Sequence, residues 1–170
     1  MIYEIRKHGD PVLRKKSEPV TEINEEIRTL LDDMAETMYA SSGVGLAANQ
    51  IGIAKRLITV DAGIDGESKI HKLVNPRITQ KSKEKKDFEE GCLSFPGIIE
   101  KIERPAQITV QAKNEFSEDV EIHAQGLLAV ALQHEIDHID GVTFVQRMTP
   151  VKRLLHKKEL KELKNRAVPK

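Results

Sequence analysis

Apolar residues recur at helical spacing through Ile23, Ile27, Leu30, Leu31, Met34 and Met38, which predicts the buried stripe of a helix running from Asn24 to about Tyr39. Asn24 is its cap, and Ser41-Ser42-Gly43 stops it. Upstream, Asp10 followed by Pro11 predicts a short helix start. Beyond the glycines the period changes. RLITVDA (56–62) and KLVNPRI (72–78) read as strands, with Pro76 marking an edge or a bulge. KSKEKKD (81–87) is almost wholly polar and is predicted to be a solvated loop or hairpin tip. Two further strands, Gln107 to Ala112 and Val120 to Ala124, flank a turn over 114–119. From Gly126 the segment LLAVALQHEIDHIDG is too long for a strand and reads as a helix ended by Gly141. Phe144 to Met148 reads as a short extended piece. Thr149-Pro150 then opens a last helix with Leu154, Leu155, Leu160 and Leu163 as its packing face. With no repeat and no linker, the order of elements predicts one α+β domain over 1–170: antiparallel or mixed strands around the central helix, between an N-terminal and a C-terminal helix.

Composition narrows the setting. The chain has 170 residues, 39% hydrophobic and 32% charged, as a globular domain requires. Lys plus Arg and Asp plus Glu both total 27, so the overall field does not hold the protein on nucleic acid, although a local basic patch is compatible with that balance. A single Cys excludes a disulfide scaffold and points to a reducing compartment. The longest apolar run, Leu127 to Leu132, is far short of the ~20 residues that span a membrane. The opening MIYEIRKHGDP has no apolar segment of the signal-peptide kind, so a soluble, cytoplasmic protein is expected.

The chemistry concentrates in His134-Glu135-Ile136-Asp137-His138. Residues four apart share a helix face, so both imidazoles reach one ion, and Glu135 stands beside them as a base for water. A catalytic ion of this kind takes three protein ligands and keeps one position open. Gly141 sits where the metzincin pattern has its glycine, but Phe144 occupies the place of the third His, so that reading fails. Cys92 and, at a distance, Glu159 or Glu162 are left as third ligands. Cys92 lies in Glu90-Gly91-Cys92-Leu93-Ser94-Phe95-Pro96-Gly97, whose glycines and proline shape the backbone tightly. A His-His-Cys set would give the ion one thiolate and a milder Lewis acidity than three His.

Three segments together resemble the peptide deformylases: Gly43-Val44-Gly45-Leu46-Ala47-Ala48-Asn49-Gln50 is similar to their GxGLAAxQ motif, Glu90 to Ser94 to EGCLS, and Gln133 to His138 to QHExDH. The resemblance covers nearly the whole chain. It implies a metal-dependent hydrolase that removes the N-formyl group from the N-terminal methionine of newly made proteins and releases formate. It implies Cys92, His134 and His138 as ligands of one divalent ion, ferrous iron (Fe2+) foremost, with zinc, nickel or cobalt (Zn2+, Ni2+, Co2+) as substitutes. It implies Glu135 as general acid and base, and Gln50 with the backbone N–H of Leu93 as oxyanion donors. Val44 and the glycines at 43 and 45 would border the substrate, joined by Leu127, Val130 and Ala131 on the helical turns before His134, with Phe88 as a further contributor. Glu90 and Arg104 would form a buried ion pair behind Cys92.

The last helix carries Lys152, Arg153, Lys157, Lys158, Lys161, Lys164 and Arg166 against Glu159 and Glu162. A basic C-terminal helix of this family docks near the ribosomal exit tunnel in some bacteria, so ribosome binding by this helix is expected, on a monomer with formylated nascent peptides as substrate and no membrane partner. Two other readings stand beside the deformylase: a metallopeptidase using Glu159 or Glu162 in place of Cys92, and a non-enzymatic adaptor that keeps the fold.

Overall fold

The computed structural model describes residues 1–167, so the last three residues of the expected domain lie outside it. The Asp10 carboxylate accepts the Val12 N–H at 3.0 Å and opens a 3-10 turn, Pro11–Arg14. Helix α1 (Glu25–Ala40) starts where Asn24 Oδ1 accepts the Ile27 N–H at 3.1 Å. Its predicted stripe is buried at Ile27, Leu30, Leu31, Met34 and Met38, with Ile23 packed alongside.

Five antiparallel strands form the main sheet in the order β1-β2-β3-β6-β7: β1 (Gly45–Ala47), β2 (Leu57–Val60), β3 (His71–Lys81), β6 (Gln107–Lys113) and β7 (Asp119–Gln125). Strand β2 is buried on both faces, and its alternation decides the layering. Leu57 joins Leu46 and Val74 in the cluster under α1, while Ile58 and Val60 join Ala47 and Leu73 under helix α2 (Gly126–Ile139). The sheet is thus sandwiched between α1 and α2. Pro76 marks a bulge: the β3–β6 register shifts between Val74 and Arg77, and Asn75 takes φ 52°. Gly141, at φ 77°, ends α2 with a conformation that L side chains rarely adopt, and the Arg14 carbonyl oxygen lies 2.5 Å from where a Cβ would stand.

A second, two-stranded sheet was not foreseen: β4 (Lys85–Gly91) pairs with β5 (Ile99–Pro105). The polar run 81–87 is therefore split, its first residue ending β3 and its last three opening β4. The 144–148 segment is not extended but holds a single helical turn, α3 (Phe144–Arg147). There Gln146 N–H bonds the Thr143 carbonyl at 3.1 Å, and Gln146 Oε1 accepts the Thr143 N–H at 2.7 Å. The last helix breaks at His156 into α4 (Pro150–Leu155) and α5 (Lys157–Ala167). Leu154 and Leu155 do not pack: they are 68% and 72% exposed, and it is Leu163 that is buried, against Phe95, Ile98, Ile102, Phe144 and Met148, with Leu160 beside it. Among the described residues no helix is long and apolar enough to cross a membrane.

Candidate active site and metal centre

Helix α2 carries His134 and His138 one turn apart, on the face turned toward the loop that joins β4 to β5. Cys92 sits at the start of that loop, where the Phe95 N–H bonds the Cys92 carbonyl at 2.9 Å and folds the chain back. His138 Nε2 lies 3.2 Å from His134 Nε2 and 3.3 Å from Cys92 Sγ, and the three donor atoms all fall within 4.8 Å of one another. Tetrahedral coordination with metal–nitrogen bonds of about 2.1 Å and a metal–sulfur bond of about 2.3 Å sets donor atoms roughly 3.3–3.6 Å apart. The spacing suits one ion. Burial, reinforced by the positive charges of His134 and Arg104, pushes the His138 imidazole well below its ordinary value, toward the neutral form that binds metal. Glu159 and Glu162 do not join this group; Glu159 lies on α5 with an oxygen 3.3 Å from His156. The peptidase reading that needed them is lost.

Glu135 is 4% exposed, and its Oε2 has no hydrogen-bond partner among the described residues. Burial, with the Glu90 and Asp137 carboxylates nearby, pushes its carboxyl up to about 7 against the opposing pull of His134 and Arg104. A carboxyl so placed can both take and give a proton near neutrality. Gly45 makes room for it: a Cβ at residue 45 would lie 2.8 Å from Glu135 Oε1 and Cγ. Gln50 is fixed by its own backbone turn, since Oε1 accepts the Ala47 N–H at 2.9 Å. That leaves Nε2 directed at Ser94 Oγ, 3.2 Å away, and at Cys92 Sγ, 3.6 Å away. The Leu93 N–H has no acceptor among the described residues, whereas its carbonyl takes a bond from Lys7 Nζ at 3.3 Å.

A cavity of about 620 Å³ opens over this group and is lined by Gly43, Val44, Gly45, Leu127, Val130 and Ala131, as expected. Phe88 does not line it; its place in β4 is opposite Ile102. Ile5, Lys7, Ile98 and Ile99 line it instead and were missed, because each belongs to a segment with no motif of its own. Behind the ligands, Arg104 holds Glu90 through Nε at 2.5 Å and NH2 at 3.0 Å, both residues being 4% exposed. Glu90 Oε1 in turn accepts His134 Nδ1–H at 3.0 Å, which fixes the tautomer and leaves Nε2 free for an ion. Burial alone would raise the Glu90 carboxyl, but the bonds from His134 and Arg104 hold it below its ordinary range, ionised. Asp137 and Arg147 extend this network and were not singled out from the sequence.

An α+β domain whose H-E-x-x-H helix meets a cysteine beneath an apolar-walled cavity defines a class, that of metal-dependent hydrolases. The family model of polypeptide deformylases matches residues 2–154. The peptide deformylase of Fusobacterium nucleatum is 45% identical over 166 residues, 96% of this chain and 94% of that protein. The crystal structure of a peptide deformylase from Legionella pneumophila covers 100% of this chain and 99% of its own, with 41% identity and a TM-score of 0.88. A plant peptide deformylase, 37% identical, aligns over 96% of this chain and 90% of its own with a TM-score of 0.92. The chain belongs to the polypeptide deformylase family. It is a hydrolase of protein biosynthesis that removes the N-formyl group from the N-terminal methionine of newly synthesised proteins and releases formate. The adaptor reading is set aside with that membership.

Proposed function

We propose that Cys92, His134 and His138 hold one divalent ion, ferrous iron in the cell with zinc, nickel or cobalt able to replace it, and that Glu135, Gln50 and the Leu93 N–H carry the chemistry around it. The convergence of one sulfur and two ring nitrogens beside an unpaired, buried carboxyl supports this most directly. An ion held by Cys92, His134 and His138 would supply Lewis acidity, making water more acidic and the formyl carbonyl more electrophilic. Glu135 takes the proton of the attacking water and passes it to the departing nitrogen, a reversal that a carboxyl near pH 7 performs at little cost. Gln50 Nε2–H and Leu93 N–H stabilise the tetrahedral oxyanion, each such donor contributing about 3–4 kcal/mol at the transition state. The methionine side chain lies against Val44, Leu127, Val130 and Ala131, with Gly43 and Gly45 admitting the peptide backbone.

The same reading places the protein in the cytoplasm as a monomer of one catalytic domain. Its exposed Arg153, Lys157, Lys158, Lys161, Lys164 and Arg166 support docking of α4 and α5 on the ribosome. Formate release from a formyl-Met tripeptide by protein loaded anaerobically with ferrous iron tests the chemistry. Glu135→Gln should lose activity by about 10²–10⁴-fold with its ion retained, and Cys92→Ala should lose the ion. Full activity in Glu135→Gln, or an undiminished ion content in Cys92→Ala, would refute these roles. Cosedimentation with ribosomes should disappear when the exposed Lys157, Lys158, Lys161 and Lys164 are replaced by glutamate, which leaves the buried Leu163 in place; undiminished binding would refute the docking.

A further inference from the structure

Arg147 stands on the one-turn helix α3 with its side chain 49% exposed, yet it clamps a nearly buried carboxylate. Its Nε donates to Asp137 Oδ2 at 3.1 Å and its NH2 to Asp137 Oδ1 at 2.8 Å. Asp137 Oδ2 also accepts from Arg104 NH1 at 2.9 Å. Arg104 uses its other two donor positions on Glu90, and Glu90 holds the Nδ1–H of His134. An unbroken line of charge-assisted bonds therefore runs from a surface guanidinium to an imidazole of the candidate metal centre.

The charge count explains what the outer end does. Glu90 and Asp137 are two anions in the protein interior, and Arg104 and Arg147 are the two cations that balance them. Without Arg147 the buried Arg104 stands alone between two carboxylates, and an Asp137 stripped of its bidentate partner competes with Glu90 for that single guanidinium. Glu90 then loses part of the clamp that fixes its position against His134. The placement of α3 makes this contact specific: its first residue, Phe144, is buried against Phe95 and lies 5.9 Å from the His134 ring, so the turn is seated beside the site.

We propose that Arg147 is a positioning residue for deformylation: it completes the charge balance around Arg104 and Asp137, so that Glu90 holds the His134 ring with Nε2 turned to the ion. This rests on the reading of His134 as a ligand. Direct partners of a ligating histidine typically change metal affinity 10–100-fold, and Arg147 stands further out than Glu90, beyond Arg104 and Asp137, so a change of about three- to tenfold is expected.

The test uses cobalt-loaded protein. Arg147→Gln should release cobalt to a chelator about three- to tenfold faster than the parent, shift the visible cobalt absorption, and lower kcat with little change in KM. Arg147→Lys, which keeps the charge but loses the two-pronged geometry, should fall between them. In a Glu90→Gln background the Arg147→Gln effect on release should shrink to under about twofold, since the link it works through is gone. Parent-like release and absorption in Arg147→Gln, or an undiminished effect in the Glu90→Gln background, would overturn the proposal. Should Arg147→Gln fail to fold, Arg147→Lys decides alone: release at least about twofold faster supports the proposal, and a parent-like rate overturns it. If the parent takes up no cobalt, or His134→Ala holds it equally well, the ligand assignment itself falls and the proposal with it.

Discussion

Replacing Gly45 by alanine puts one methyl group into space that the Glu135 side chain occupies. The new Cβ would stand 2.8 Å from Glu135 Cγ and Oε1 and 3.1 Å from Cδ. Ordinary contacts between carbon atoms are about 3.5–4.0 Å, so the carboxyl must retreat by roughly 1 Å. Helix α2 cannot carry that shift, because Ala129, Leu132 and Ile139 are fully buried against the sheet. A misplacement of about 1 Å at a reacting group costs roughly 10²-fold, which is about 2.7 kcal/mol of transition-state stabilisation. Folding should be little affected, since Gly45 is not among the residues of positive φ and alanine fits its backbone. Formate release should drop about a hundredfold in Gly45→Ala, with ion content and thermal midpoint checked in the same variant. A Gly45→Ala protein that keeps a third of the parental kcat/KM with a full complement of ion would refute the placement of Glu135.

Leu163→Ala should destabilise the fold by about 2–5 kcal/mol in urea unfolding, whereas Leu155→Ala should stay within about 0.5 kcal/mol; equal costs would refute the packing of α5 in preference to α4. His156 offers a pH prediction. Its Nε2 is 3.0 Å from Glu100 Oε2 and its Nδ1 3.3 Å from Glu159 Oε1, so both ring nitrogens face carboxylates and both must be protonated to bond them, with Lys152 also 3.8 Å from Glu100. The bond to Glu100, then that to Glu159, raises the His156 value above its ordinary 6.5. The stabilisation is therefore fully present below 6.5 and is lost as pH rises through the higher value of the folded protein. Amide exchange in α5 should accelerate over that interval beyond the intrinsic trend and show no such step in His156→Ala; a parent as featureless as the variant would refute the pairing.

The pattern along the chain revealed the elements whose inward positions are apolar. The α1 stripe, the doubly buried β2 and the ladder between β6 and β7 all follow the hydrophobic period, and His134-Glu135 with His138 followed from helical spacing. Strands β4 and β5 were hidden because charged residues occupy core-facing positions. Glu90 and Arg104 are buried there, so KKDFEEG and IEKIERP show little apolar alternation although Ile102 is fully inside. The α3 turn was hidden for a different reason: a single turn held by one glutamine side chain leaves too few residues for a period to show. Leu154 and Leu155 misled because helical spacing identifies an apolar face without saying whether anything packs against it. Within the site, Gln50 and Leu93 owed their roles to motif resemblance, while the Asp137 and Arg147 contacts depend on segments meeting in space and leave no mark in local spacing.

Strands β4 and β5 pair with each other and with no strand of the main sheet. A lone two-stranded ribbon is marginal in water. This one is anchored by its apolar contacts to α3 and α5 and by the Glu90 and Arg104 bonds to α2, and on the proposed reading a cation shared by Cys92, His134 and His138 would add an anchor at its bend. Stripping the cation would take away the anchor at the bend, so protease cuts in the empty enzyme should concentrate between residues 82 and 105 before the rest of the chain yields. Metal supply would then govern how long a molecule survives as well as whether it turns over, with starved copies marked for removal by the loosening of that ribbon.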